Sequence, residues 1–222
     1  MKRLSVAIDG PAGAGKSSAS KIFAKRMGYT YLDTGAMYRA ITYEALRLGL
    51  SEEKDIIQMA RALHMRVAPG DTGMQVFLDG RNVTPYIRTP AVSGHVSKVS
   101  AIPEVRSLMV DLQRKCSEGG GTVLDGRDIG TVVLPHADVK IFLTASPRTR
   151  ALRRYNEMKD KEPGITVDSI EEDIRRRDLL DSTRKVAPLR PAHDAVVLDN
   201  SHMTLEETAE EIARICEEMA GY

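Results

Sequence analysis

The segment Gly10-Pro11-Ala12-Gly13-Ala14-Gly15-Lys16-Ser17 constrains this chain more than any other. It follows the apolar run Leu4 to Ile8 and precedes Ala19, Ile22, Phe23 and Met27 at helical spacing, which predicts strand, loop and helix in that order. A glycine, four residues and then Gly-Lys-Ser in that setting is a phosphate-binding loop. Its glycines let backbone N–H groups turn onto phosphate oxygens where side chains would block the approach. Lys16 is expected to reach the β and γ phosphates of a nucleoside triphosphate. Ser17 opens the helix, whose dipole favours phosphate charge, and is expected to ligate Mg²⁺. Ser18 adds a second hydroxyl.

Such a loop leaves open a GTPase switch, a motor or a small-molecule kinase. The sequence has no Asn-Lys-x-Asp or Thr-Lys-x-Asp segment to read guanine and no D-x-x-G segment to sense a γ phosphate, which argues against a switch GTPase. Net charge is +1, with 32 basic and 31 acidic side chains, so no overall field draws the chain to nucleic acid or an anionic membrane. The basic start, Met1 to Arg3, is followed by too short an apolar run for a signal peptide or membrane span. Cys116 and Cys216 lack paired spacing and read as packing residues in a reducing compartment. A cytoplasmic location is expected.

Along the chain, helices are predicted over 34–48 and 51–64, the second with Ser51 as its N-cap. Between Met65 and Pro90, β-favouring pieces at 65–68, 75–78 and 81–84 alternate with Pro69-Gly70, Gly73 and Asp79-Gly80, which predicts a small antiparallel insert. A helix follows Pro103, strands are predicted at 122–124, 139–143 and 195–198, and helices begin at Pro147, Val167 and Leu205. The helix from Pro147 is expected to fade near Pro163-Gly164. Strands alternating with helices predict an α/β fold: a three-layer core around a parallel five-stranded sheet, with ligands at the carboxyl ends of the strands. Asp125 and Asp199 end two of those strands. None of the five histidines has zinc-type spacing.

Two further segments bear on an acceptor. Asp33-Thr34-Gly35-Ala36-Met37-Tyr38-Arg39 gathers a hydroxyl, a phenol and a guanidinium within two helical turns, as a phosphate monoester requires. Asp125-Gly126-Arg127-Asp128-Ile129-Gly130 leaves a strand toward the same cleft. Each also reads as a capped helix or polar turn.

Together with the phosphate loop, these segments resemble the bacterial cytidylate kinase family, nearly end to end. The matching pieces are Ile8 to Ser18, Leu32 to Arg39, Val92 to Arg106, Leu124 to Val133, Val139 to Leu143, and Arg177 to Pro188. The resemblance implies one P-loop kinase domain over 1–222, with a monophosphate-binding insert at about 63–90 and a helical lid at about 147–166. It implies transfer of the γ-phosphoryl group of ATP to CMP or dCMP, with Mg²⁺, by a protein acting as a monomer. Ser97, Arg106 and Asp128 would then read the base. Arg39, Arg127 and Arg184, with Tyr38, would hold the acceptor phosphate, Arg177 and Asp181 would meet the sugar, and Asp33 and Thr34 would also belong to the CMP site. Residues 177, 181 and 184 share one face if that segment stays helical. Among the lid arginines Arg148, Arg150, Arg153 and Arg154, the resemblance puts Arg150 and Arg154 with Lys16, Arg127 and Arg184 as catalytic. Two rivals stay open: the same chemistry on another acceptor such as UMP, and an ATP-hydrolysing switch that acts through partners.

Overall fold

The structure is a computed structural model that describes residues 3–70, 73–160, 162 and 164–220. Met1, Lys2 and Pro163 lie outside them, so the basic start and the Pro163 break are only partly covered. Five parallel strands form the central sheet: β1 (Ser5–Asp9), β2 (Thr30–Asp33), β6 (Thr122–Gly126), β7 (Val139–Thr144) and β8 (Val196–Asp199), in the order β2-β6-β1-β7-β8. Three further strands, β3 (Met65–Gly70), β4 (Gly73–Leu78) and β5 (Arg81–Asn82), make a separate antiparallel sheet. The helices are α1 (Lys16–Met27), α2 (Thr34–Arg47), α3 (Glu53–Ala62), α4 (Pro90–Val99), α5 (Pro103–Cys116), α6 (Pro147–Met158), α7 (Val167–Thr183) and α8 (Leu205–Ala220).

Side chains alternate across a strand, and here the alternation makes two cores. Val6, Ile8, Val123 and Ile141 face one layer, where they pack with Phe23 of α1 and Ile212 and Cys216 of α8. Ala7 and Leu124 face the other, with Leu32, Met37 and Ile41, and there Val105 and Met109 of α5 and Val76 and Leu78 of β4 complete the cluster. Strands β1, β6 and β7 are largely buried on both faces, which is why they read as near-continuous apolar runs, whereas the edge strand β8 exposes Val196 and Val197. Cys216 is buried, Cys116 half-buried, and both are free thiols. No helix among the described residues is long and apolar enough to cross a membrane.

Local chemistry explains most boundaries. Asp33 caps α2 by accepting from Ala36 N at 2.8 Å. Ser146 precedes Pro147 at the start of α6, and Thr166 with Ser169 forms a reciprocal cap on α7. Asp79 and Gly80 both have positive φ, 47° and 80°, as the tight turn between β4 and β5 demands.

Three local expectations are corrected, and one helix is present that the sequence does not predict. Helix α3 starts at Glu53 with Glu52 in the capping position, so Ser51 is not the cap. Helix α4 was not foreseen as a helix; Thr89 caps it, and Val92, Val96 and Val99 bury one face. Strand β5 stops at Asn82, because the Thr84 hydroxyl rather than a backbone carbonyl accepts Val76 N–H, at 2.9 Å. Helix α7 ends at Thr183, so Arg184 has extended backbone (φ −60°, ψ 142°) and leaves the helical face of Arg177 and Asp181.

Phe23 is fully buried and packs edge-on to Tyr29 at 6.1 Å between centroids. Phe23→Ala is expected to cost about 3–5 kcal/mol of stability in urea unfolding, with the fold retained.

Candidate active site

The parallel register brings β1, β2 and β6 to an end at one level: Asp33 lies beside Asp125, and Asp9 beside Gly126. A cleft of about 590 Å³ opens above them. The phosphate loop leaves β1 at Gly10, whose φ is +148° and whose missing Cβ would stand 1.9 Å from Leu143 O, so only glycine fits. Ala12, Gly13, Gly15, Lys16, Ser17 and Ser18 line the cleft. Pro11 and Ala14 instead offer carbonyls to their surroundings, accepting from Lys16 Nζ at 2.7 Å and from Asn200 Nδ2 at 3.0 Å.

Lys16 is buried, and burial together with the nearby Arg127 charge pushes its ammonium down to about 7, against the pull of Asp125 and Asp9. Asp125 accepts from Ser17 Oγ at 2.8 Å and from Tyr31 OH at 2.7 Å. Burial, reinforced by the Asp33 charge, raises its carboxyl to about 6. A hydroxyl and a carboxylate so paired are hard oxygen donors of the kind Mg²⁺ takes. Among the described residues no three His, Cys, Asp or Glu side chains gather into a metal cage. Asp199, the other strand-end acid, is exposed and accepts from Ser201 N and Oγ in its own turn.

Across the cleft, Thr34 Oγ1 donates to Asp125 O at 2.7 Å. A Cβ at Gly126 would meet that hydroxyl at 2.8 Å, so glycine allows β6 and the start of α2 to touch. Arg39 donates to Ser93 Oγ of α4 at 2.8 Å, and burial pushes its guanidinium down to about 10. Arg106 of α5 is buried, binds Asp128, donates to Ser100 O and stands 5.6 Å over the Tyr38 ring. Arg184 approaches Asp128 at 3.7 Å, and Arg127 Nε donates to Asp181 at 2.9 Å. Tyr38 OH and Arg177 Nε are buried without a hydrogen-bond partner, and the Arg184 Nη atom that ion-pairs with Asp128 makes no hydrogen bond. All three residues line the cleft.

The structure therefore gathers around one cavity Asp33, Thr34, Tyr38, Arg39, Ser97, Arg106, Arg127, Asp128, Arg177, Asp181 and Arg184, together with Arg154. Arg150 is placed elsewhere: it is buried beside the cleft, bound to Asp178 at 2.6 Å, Ala145 O at 2.9 Å and Ala12 O at 3.0 Å. Arg148 pairs outside with Asp168 and Glu171. Arg153 donates to Asn200 O at 2.7 Å and lines the cleft. The sequence reading missed Arg88, which lines the cleft and donates to Asp33 at 2.6 Å, and Asn200, which ties the phosphate loop to β8. Asn200 directly follows a strand at its carboxyl end, and that was the available signal. Arg88 had none.

A pH dependence follows. Asp9 and Asp125 both have carboxyls raised from 3.8 to about 6, so the folded chain favours their protonated forms. Their contribution to stability is most favourable below the unfolded value and declines as pH rises through about 4 to 6. Asp125→Asn is expected to flatten that decline in melting temperature. A slope identical to wild type would mean that Asp125 is already ionised.

The cytidylate kinase family model matches residues 6–218. The cytidylate kinase of Limosilactobacillus fermentum is 51% identical over 218 residues, covering 96% of this chain and 95% of that protein. That of Carboxydothermus hydrogenoformans is 48% identical over 212 residues, covering 95% and 96%. A solved structure of an uncharacterized protein from Eubacterium ventriosum shares the fold with a TM-score of 0.53 at 10% identity, over 96% of this chain and 97% of that one. Matched along nearly its whole length by the family model and by relatives at about half identity, the chain belongs to the cytidylate kinase family.

Proposed function

We propose that the protein transfers the γ-phosphoryl group of ATP to CMP, giving ADP and CDP, and accepts dCMP in the same way. The observation that carries this reading is that a phosphate loop and a buried Arg106–Asp128 pair open into one cleft rimmed by further cations. The triphosphate end belongs over the amides of Gly13, Gly15 and Lys16, with Lys16 turning from Pro11 O to the β and γ oxygens. Ser17 and Asp125 would hold Mg²⁺, which when bound neutralises charge shared between those oxygens.

In the acceptor half, Asp128 and Ser97 can accept from the N4 amine of cytosine while Arg106 donates to O2 and N3. Uracil offers a carbonyl at position 4, which would set one acceptor against another, so the carboxylate gains no hydrogen bond from it. Arg39, Arg127 and Arg184, with Tyr38, hold the CMP phosphate. Asp33 reaches it indirectly, by capping α2 and holding Arg88. Arg177 and Asp181 meet the ribose. The convergence of Arg39, Arg127, Arg177 and Arg184 on the cleft supports these assignments, since an anionic ligand would balance their charge.

A CMP phosphate oxygen then attacks the γ phosphorus in line. The new P–O bond forms as the bond to the β–γ bridging oxygen breaks, and ADP leaves with that electron pair. Positioning and charge neutralisation suffice, so no strong general base is required. Lys16, Arg127, Arg184 and Arg154 supply the cations. Arg150 supports the phosphate loop through Ala12 O. We further propose that segments 63–90 and 147–166 close on the bound nucleotides and exclude water. We also propose that the protein acts as a monomer in the cytoplasm, a reading supported by its two free thiols, Cys116 and Cys216, which lack paired spacing.

A coupled assay for ADP with each of the four ribonucleoside monophosphates tests the assignment. CMP is expected to stimulate turnover far above UMP, AMP and GMP, whereas ADP formation independent of any acceptor would favour a switch. Asp128→Ala is expected to raise the KM for CMP by about tenfold or more while leaving that for ATP near wild type. Retention of the full CMP over UMP preference in this variant would remove Asp128 from base reading.

A further inference from the structure

Asp128 stands at the N-terminal end of a π-helical turn, Ile129–Val133, where an aspartate ordinarily turns its own carboxylate onto the free amides that follow. Here it makes no such cap, because its carboxylate goes to Arg106 and Arg184. The free amides are satisfied from strand β1. Asp9, the last residue of β1, accepts from Ile129 N through Oδ1 at 2.7 Å and from Gly130 N through Oδ2 at 2.8 Å. Asp9 is 3% exposed and is not among the residues lining the cleft, so its contact with a ligand is indirect. Its neighbour in sequence is Gly10, the first residue of the phosphate loop.

We propose that Asp9 is a positioning residue for acceptor-base recognition: by capping Ile129 and Gly130 in place of Asp128, it releases the Asp128 carboxylate to face the base. The role rests on the assignment of Asp128 to cytosine made above. It explains why a carboxylate occupies a site whose burial disfavours its charge, since each of its oxygens holds one of two consecutive amides that would otherwise lack an acceptor. It also joins the two halves of the site, because the residue that fixes the base-reading turn is covalently next to the loop that holds the donor. In its absence Asp128 can swing back onto its own turn and leave Arg106.

Asp9→Asn keeps the volume but can accept from only one of the two amides and presents an N–H to the other. It is expected to raise the KM for CMP by about tenfold or more and to shrink the CMP over UMP preference in kcat/KM, while the loss of its charge near Lys16 raises the KM for ATP by a clearly smaller factor. In an Asp128→Ala background the same change is expected to alter neither acceptor parameter, because the group it positions is gone. An unchanged KM for CMP, a parallel rise for both nucleotides, or additive effects in the double variant would overturn the role. Should Asp9→Asn not fold, the wild-type protein decides by NMR. On CMP titration the Asp9 carboxyl carbon and the Ile129 and Gly130 amides are expected to shift together with Asp128, and an Asp9 signal that stays still while Asp128 moves would overturn the proposal. A wild-type enzyme without CMP-dependent ADP formation defeats the underlying acceptor assignment. One with that activity and an indifferent Asp9→Asn defeats only the role of Asp9.

Discussion

The parallel register of β2, β6 and β1 is the constraint on which the site depends. Because these strands stop together, the phosphate loop, the capped start of α2 and the Asp125–Asp128 segment emerge side by side at one sheet edge. The contacts that follow are short and backbone-based: Thr34 on Asp125 O, Asp9 on the amides of Ile129 and Gly130, and Asn200 on Ala14 O. Each joins elements far apart in sequence, and a one-residue slip in any strand would turn its functional residues to the wrong face.

That convergence concentrates charge. Burial and neighbouring guanidinium groups depress the affinity of Lys16, Arg39, Arg177 and Arg184 for their protons, while burial raises Asp9, Asp125 and Asp128. Burial disfavours charge of both signs in this site. A cluster of buried cations suits a site that takes anions, since two phosphorylated ligands would bring negative charge to balance them. A cleft already arranged around that charge needs little reorganisation when the phosphoryl group moves, which is the main source of catalysis in phosphoryl transfer.

Much of this was legible in the sequence because it rests on local chemistry. The spacing from Gly10 to Ser17 identifies the loop, apolar runs identify strands buried on both faces, and Asp79-Gly80 marks a hairpin that the positive φ values explain. Helix α4 escaped because Val92, Val96 and Val99 are β-branched and Gly94 lies among them, so propensity masked a helical spacing that burial enforces. Arg184 escaped for the opposite reason: the spacing from Arg177 and Asp181 suggested a shared face, but α7 ends one residue earlier. The Asp9 cap, the Arg88–Asp33 pair and the burial of Arg150 against Ala12 O are tertiary contacts with no local signature.

The most direct test of the account is a crystal structure with CMP, Mg²⁺ and a non-hydrolysable ATP analogue. The account expects the cytosine amine against Asp128, with Arg39, Arg127 and Arg184 on the CMP phosphate and one of its oxygens in line with the γ phosphorus over Lys16. A CMP bound with its base away from Asp128 and Arg106, or with its phosphate out of reach of the triphosphate, would contradict it.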